Sequence, residues 1–107
     1  MSRTPVIVAH IPNLFDRSRF GDAVTFVDSG PEAAAQEPTM VLVDLDRCEN
    51  PVEFRIAGAV VIGFGPHVDS ASHERARELG YDLVLARSRF FRRLPDLLIG
   101  QESDESN

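Results

Sequence analysis

The chain has 107 residues, 43% of them hydrophobic and 26% charged, with a net charge of −6 and a single cysteine, Cys48. That length supports one domain around one modest core. One cysteine excludes an internal disulfide framework and a cysteine-rich zinc site, and the acidic balance argues against general binding to nucleic-acid phosphates.

Val6 to Ala9 is a short continuous apolar run, expected as a strand buried on both faces. Pro12 can open a short helix lined by Leu14, Phe15, Ser18 and Phe20 and ended by Gly21. Ala23 to Val27 reads as a second strand. SGPEAAAQEP follows as a short helix, with Ser29 as cap, Pro31 in the first turn and Pro38 as its limit. Met40 to Val43 is a third buried strand ending at Asp44, and Val60 to Phe64 a fourth. Residues 45–59 between them have poor helical periodicity and a proline at 51, so that crossover is a very short helix or a loop. Asp69 or Ser70 can cap the next helix, which runs to about Leu79 and stops at Gly80. Leu83 to Ala86 is a fifth strand. Ser88 can cap a last helix, whose apolar side is Phe90, Phe91, Leu94, Leu97 and Leu98, with Pro95 expected to kink or break it. Apolar strands alternating with helices predict an α/β fold with a parallel sheet covered on both faces.

The five strand–helix units, the Asp closing MVLVD at 40–44 and the basic residue closing LVLAR at 83–87 resemble the response-regulator receiver domain. The resemblance covers about residues 5–98. It implies a flavodoxin-like, doubly wound five-stranded sheet of order 2-1-3-4-5, here with shortened helices, and a site beyond the carboxyl ends of the strands. In that family the aspartate of the third strand accepts a phosphoryl group, which places Asp44 in the acceptor position. The lysine position is Arg87. The Thr/Ser position after the fourth strand is Gly65. The acidic pair that holds magnesium after the first strand is missing from VIVAHIPN, which offers His10 and Asn13 instead. The fifth strand lacks the switch aromatic, and Tyr81 comes too early to supply it. Stacking a phosphoryl group on a carboxylate needs Mg²⁺ and the lysine to offset the charge. Asp46 could supply one ligand, but one or two carboxylates make a poor magnesium site, so no cofactor is expected. Arg87, with its planar fork, is expected to pair with Asp44 and fix the site in one state.

Other clusters carry competing readings. His67, Asp69 and His73, with His10, could hold a metal, but HxDx₃H is a weak pattern, and GFGPHVD at 63–69 reads more simply as a bend followed by a helix cap. His10 could act as an acid or base beside Asp44, yet no nucleophile or oxyanion arrangement accompanies it, and a polar filler is the simpler reading. Arg89, Phe91, Arg92 and Arg93 form a basic, aromatic-interleaved face on the last helix, either solvated or offered to a partner; in receivers that region is the usual partner and dimer surface. RSRF occurs at 17–20 and again at 87–90, either by chance or because arginines from two helix starts converge at one end of the sheet. Acidic neighbours are expected to make Cys48 a poor thiolate.

The reading is therefore a stand-alone, degenerate receiver-like domain at residues 1–98 (a pseudo-receiver) with an acidic, disordered tail at 99–107. It is expected to work without conventional Mg-dependent phosphorylation, in signal transduction of the two-component type. It is expected to be no enzyme and to act through a protein partner or self-association at the last helix, with no nucleic-acid or membrane role. The alternatives are an unconventional phospho-acceptor using Asp44, or a small-ligand or metal crevice at His10, Asp44, His67 and Arg87. MSRTPVIVAH has no signal-peptide core and no apolar run approaches the roughly 20 residues of a membrane span, so a cytoplasmic setting is expected.

Overall fold

The computed structural model describes residues 5–65 and 71–98. Five strands, β1 (Ile7–His10), β2 (Thr25–Phe26), β3 (Met40–Asp44), β4 (Val60–Gly65) and β5 (Leu83–Ala86), form one sheet of order β2-β1-β3-β4-β5. All four pairings are parallel. Among the described residues four helices accompany them: α1 (Leu14–Arg17), α2 (Gly30–Ala35), α3 (Ala71–Leu79) and α4 (Arg87–Leu98). This is the doubly wound, flavodoxin-like order that the receiver resemblance implies, built on the parallel sheet expected from the apolar runs.

Because successive residues of a strand face opposite sides, the sheet divides the core in two. Ile7, Ala9, Leu42, Ile62 and Phe64 pack with Phe20 and with Phe90, Leu94 and Leu97 of α4. Val8, Val41, Val43 and Val61 pack with Ala33 of α2, Phe54, Ala76 of α3 and Tyr81. The Phe64 and Phe90 rings stack with centroids 4.2 Å apart. Full burial of such a side chain stabilises by roughly 1.5–3 kcal/mol, so this pair fixes α4 against the centre of the sheet.

Four expectations are corrected. The first helix starts after Asn13 rather than at Pro12, because the Asn13 carboxamide accepts from the amides of Phe15 and Asp16. It is a single turn whose buried residue is Asp16, while Leu14 and Phe15 are 72% and 87% exposed. Phe20 alone of the expected apolar set reaches the core. The second strand shrinks to two residues at the sheet edge. The last helix begins at Arg87, one residue before the expected Ser88 cap. It also runs through Pro95 without a break, since its buried face at Phe90, Leu94 and Leu97 spans the proline.

The 45–59 crossover contains one 3-10 turn, Pro51–Phe54. Two contacts hold it. A Cβ on Gly30 would collide with the Glu53 backbone, so only glycine lets α2 approach this closely. The Tyr81 hydroxyl donates to the Pro51 carbonyl at 2.8 Å. Tyr81→Phe should cost about 1 kcal/mol, read as a lower urea midpoint. An unchanged midpoint would mean that the turn is held by Phe54 and Gly30 alone.

Candidate functional site

Asp44 is the last residue of β3, and its partner across the ladder is Phe64. It lies on the α1/α4 side of the sheet and is 1% exposed. Leaving a carboxylate there requires partners, and the next three residues supply them. The chain turns at once, with the Arg47 amide donating to the Asp44 carbonyl. That turn brings the Asp46 amide to Oδ1 at 3.1 Å and the Arg47 guanidinium to Oδ2 at 3.2 Å. Burial is nevertheless the largest influence and holds the Asp44 carboxyl above its ordinary value, against the lowering by Arg47 and the Asp46 amide.

Arg87 does not pair with Asp44, contrary to expectation. Its guanidinium donates to Asp16 Oδ1 on α1. Asp16 is itself buried, and its Oδ2 accepts no hydrogen bond from the described residues. The pairing has a simple cause. Arg47 reaches Asp44 through a local turn, whereas the single-turn α1 points a second buried carboxylate at the start of α4. Two carboxylates on the α1/α4 side thus have two arginines, one each. Asp44, Asp46, Arg47, Gly65 and Arg87 line a cavity of about 200 Å³ beyond the carboxyl ends of β3 and β4, where sheets of this type place their sites.

Gly65 ends β4 with its missing side chain aimed at α3. A Cβ there would lie 2.6 Å from His73 Nε2 and 3.1 Å from Cδ2. His73, on α3, is fully buried. Its imidazole fills the space that a Thr or Ser side chain at position 65 would need. His73 is therefore a packing residue beneath the site, and its expected metal partners His67 and Asp69 lie outside the described residues, as does the 99–107 tail.

His10 and Asn13 do not join the cavity. His10 faces the other side of the sheet, stacked on Phe54 with centroids 4.7 Å apart. Its Nδ1 lies 3.1 Å from the Val27 carbonyl oxygen, an acceptor, so Nδ1 is the donor of this contact. It lines a separate cavity with Asp28, Arg47, Glu53 and Phe54. Asn13 is occupied as the α1 cap. The Cys48 thiol is raised, by burial first and then by Glu53, Asp44 and Glu49.

The donor set around Asp44 is a poor match for a magnesium ion. Both oxygens of Asp44 already accept from the protein. Among the described residues no group of three or more His, Cys, Asp or Glu side chains is placed to hold a metal. The positive charge beside the carboxylates is instead built in, as Arg47 and Arg87.

On α4, Arg89 and Arg92 are exposed and Arg93 and Phe91 half-buried. Arg92 and Phe91 border a cavity with Arg19, Arg87 and Ser88, without Arg89 or Arg93. The two RSRF copies meet here. Phe20 and Phe90 pack with centroids 6.2 Å apart, and the Arg19 and Arg87 guanidiniums both lie over the Phe91 ring, at 4.1 and 5.0 Å from its centroid.

Asp16 and Arg47 were missed in the sequence. Asp16 lies six residues past β1, beyond the position where the receiver pattern puts its acids. Arg47 had a legible signal, a cation three residues after a strand-ending aspartate.

Among the described residues no helix is long and apolar enough to cross a membrane. No protein-family model matches the chain, and no curated protein matches it. A solved structure does match: the crystal structure of a response regulator in red light signaling of R. palustris, at a TM-score of 0.65 and 18% identity, covering 96% of this chain and 97% of that one. The sheet order, the parallel register and this match together give the chain the flavodoxin-like fold of a response-regulator receiver domain.

Proposed function

We propose that the chain is a degenerate receiver that works as a signalling or protein-interaction module without Mg-dependent phosphorylation. The observation that carries this is the pairing of Asp44 with Arg47, with both Asp44 oxygens already accepting hydrogen bonds. The filling of the Thr/Ser space by His73 agrees with it. A resident guanidinium neutralises the carboxylate in place of a metal, and position 65, a glycine, offers no hydroxyl to a phosphoryl oxygen. Any output is carried by contact with a protein partner or a second copy, and α4 with its exposed arginines is the surface for it. The setting that suits such a module is the cytoplasm.

A second reading has an observation of its own. The cavity beside Asp44 is about 200 Å³ and holds both Arg47 and Arg87, so two guanidiniums could stand in for metal and lysine around a phosphoryl group. Intact mass after incubation with a small phosphodonor and Mg²⁺ separates the two, with Asp44→Asn as control. No added phosphoryl group on the folded protein is the expected result. One added group, absent in the control, makes Asp44 a working acceptor and overturns the proposal.

A further inference from the structure

The cavity at the start of α4 is about 430 Å³ and is lined by Arg19, Arg87, Ser88, Phe91 and Arg92. It presents three guanidiniums on a chain whose net charge is −6. Of the three, Arg87 is paired, with Asp16. Among the described residues no carboxylate lies within ion-pair distance of Arg19 or Arg92. Like charges crowded at one concavity repel unless an anion lies between them.

The cavity is also preorganised. Arg19 and Arg87 are laid over Phe91, and a guanidinium stacked on a ring keeps its in-plane N–H donors free. Ser88 adds a hydroxyl beside the start of the twelve-residue α4, where the helix dipole is positive. Forked donors around a concavity match the several acceptor oxygens of phosphate better than the two of a carboxylate. The charge also matches: two unpaired guanidiniums face a phosphate monoester that carries about −1.5 to −2 at neutral pH.

We infer that the cleft formed by Arg19, Arg87, Ser88 and Arg92 binds the phosphate group of a phosphate monoester. The cleft adjoins the acceptor position and shares Arg87 with it, but Arg19, Ser88 and Arg92 lie outside the Asp44 cavity, so the inference does not require Asp44 to be modified. The monoester has two possible sources, a small phosphorylated metabolite or a phosphorylated side chain of a partner.

The test is an amide-resolved NMR titration of the full chain at low ionic strength. The probes are O-phosphoserine, a short peptide with one phosphoserine, and the same peptide with glutamate in its place. O-phosphoserine is expected to shift the amides around Arg19 and from Arg87 to Arg92. Arg19→Ala and Arg92→Ala, both at exposed positions, should each weaken binding at least tenfold, while Arg75→Ala on α3 leaves it unchanged. A phosphopeptide binding more than tenfold tighter than O-phosphoserine identifies a protein source, and equal binding a small ester. Three results would overturn the inference. These are no shifts at millimolar probe, equal binding of the glutamate peptide, or an equal loss in Arg75→Ala.

Discussion

Gly65→Thr is expected to destabilise the protein by about 3 kcal/mol, at the upper end of the roughly 1–3 kcal/mol that overpacking costs. Position 65 is in the ladder, opposite Ala86, so the backbone has little freedom to withdraw. The atom that a new Cβ meets belongs to a buried ring rather than to a surface chain end. His73→Ala should be costly alone, because it empties the space beneath β4. The double variant should cost less than the two single changes added together, with a coupling of about 1–3 kcal/mol, since the threonine then occupies room the ring has left. Urea unfolding of all four proteins measures this. Strictly additive costs would show that the ring and position 65 do not compete for one volume, and would remove His73 from the account of the site. The coupling bears on function. With the ring in place, a hydroxyl at position 65 competes with His73 for room, so Gly65→Thr alone is not expected to present one cleanly to the cavity.

Some of this was written plainly in the chain. VIVA, MVLVD, VVIGFG and LVLA are unalternating apolar runs, which fit only strands covered on both faces, and their spacing left a parallel sheet. Asp44 at the end of MVLVD was legible for the same reason, as a carboxylate closing such a run. Ser29 with Pro31 gave the start of α2, where the Ser29 hydroxyl accepts from the Glu32 amide. Partner choice was not legible. Arg87 and Asp16 are 71 residues apart, and nothing local in either segment specifies the other. Arg47 lay close to Asp44 in sequence, but the competition between Arg47 and Arg87 is settled by where α1 ends up, which depends on a four-residue helix with two exposed apolar side chains. The His73 ring beneath Gly65 was hidden too, because a glycine gives no sign of what fills the space it leaves.

Asp44→Asn is expected to raise stability at neutral pH by about 1 kcal/mol, and Arg47→Ala to lower it by about 2 kcal/mol. Both follow from one buried carboxylate. Burial holds the Asp44 carboxyl above its ordinary value of 3.8, even with Arg47 and the Asp46 amide pulling it down and Asp16 adding to the rise. A carboxyl raised on folding binds its proton more tightly in the native state than in the unfolded chain. Its favourable contribution is then complete below pH 3.8 and is lost as the pH climbs through the folded value. Asparagine keeps an acceptor for the Asp46 amide and carries no charge, so its advantage over aspartate should be present at neutral pH and vanish in acid. Removing Arg47 takes away the strongest of the opposing influences and deepens the deficit. Breaking a fully buried pair costs about 3–5 kcal/mol, but the Arg47 side chain is 43% exposed, and solvent screening brings the figure down. That cost should shrink as the pH falls and should nearly disappear in the Asp44→Asn background. Urea unfolding of the four proteins across the acid range checks each of these signs. If Asp44→Asn instead destabilises at neutral pH, the ion pair is a net contributor to the fold, and its presence needs no functional explanation. If it stabilises, the chain carries a carboxylate that costs it stability, with an arginine that only partly offsets the cost. The role of that pair would then have to be sought in what the cavity beside it recognises.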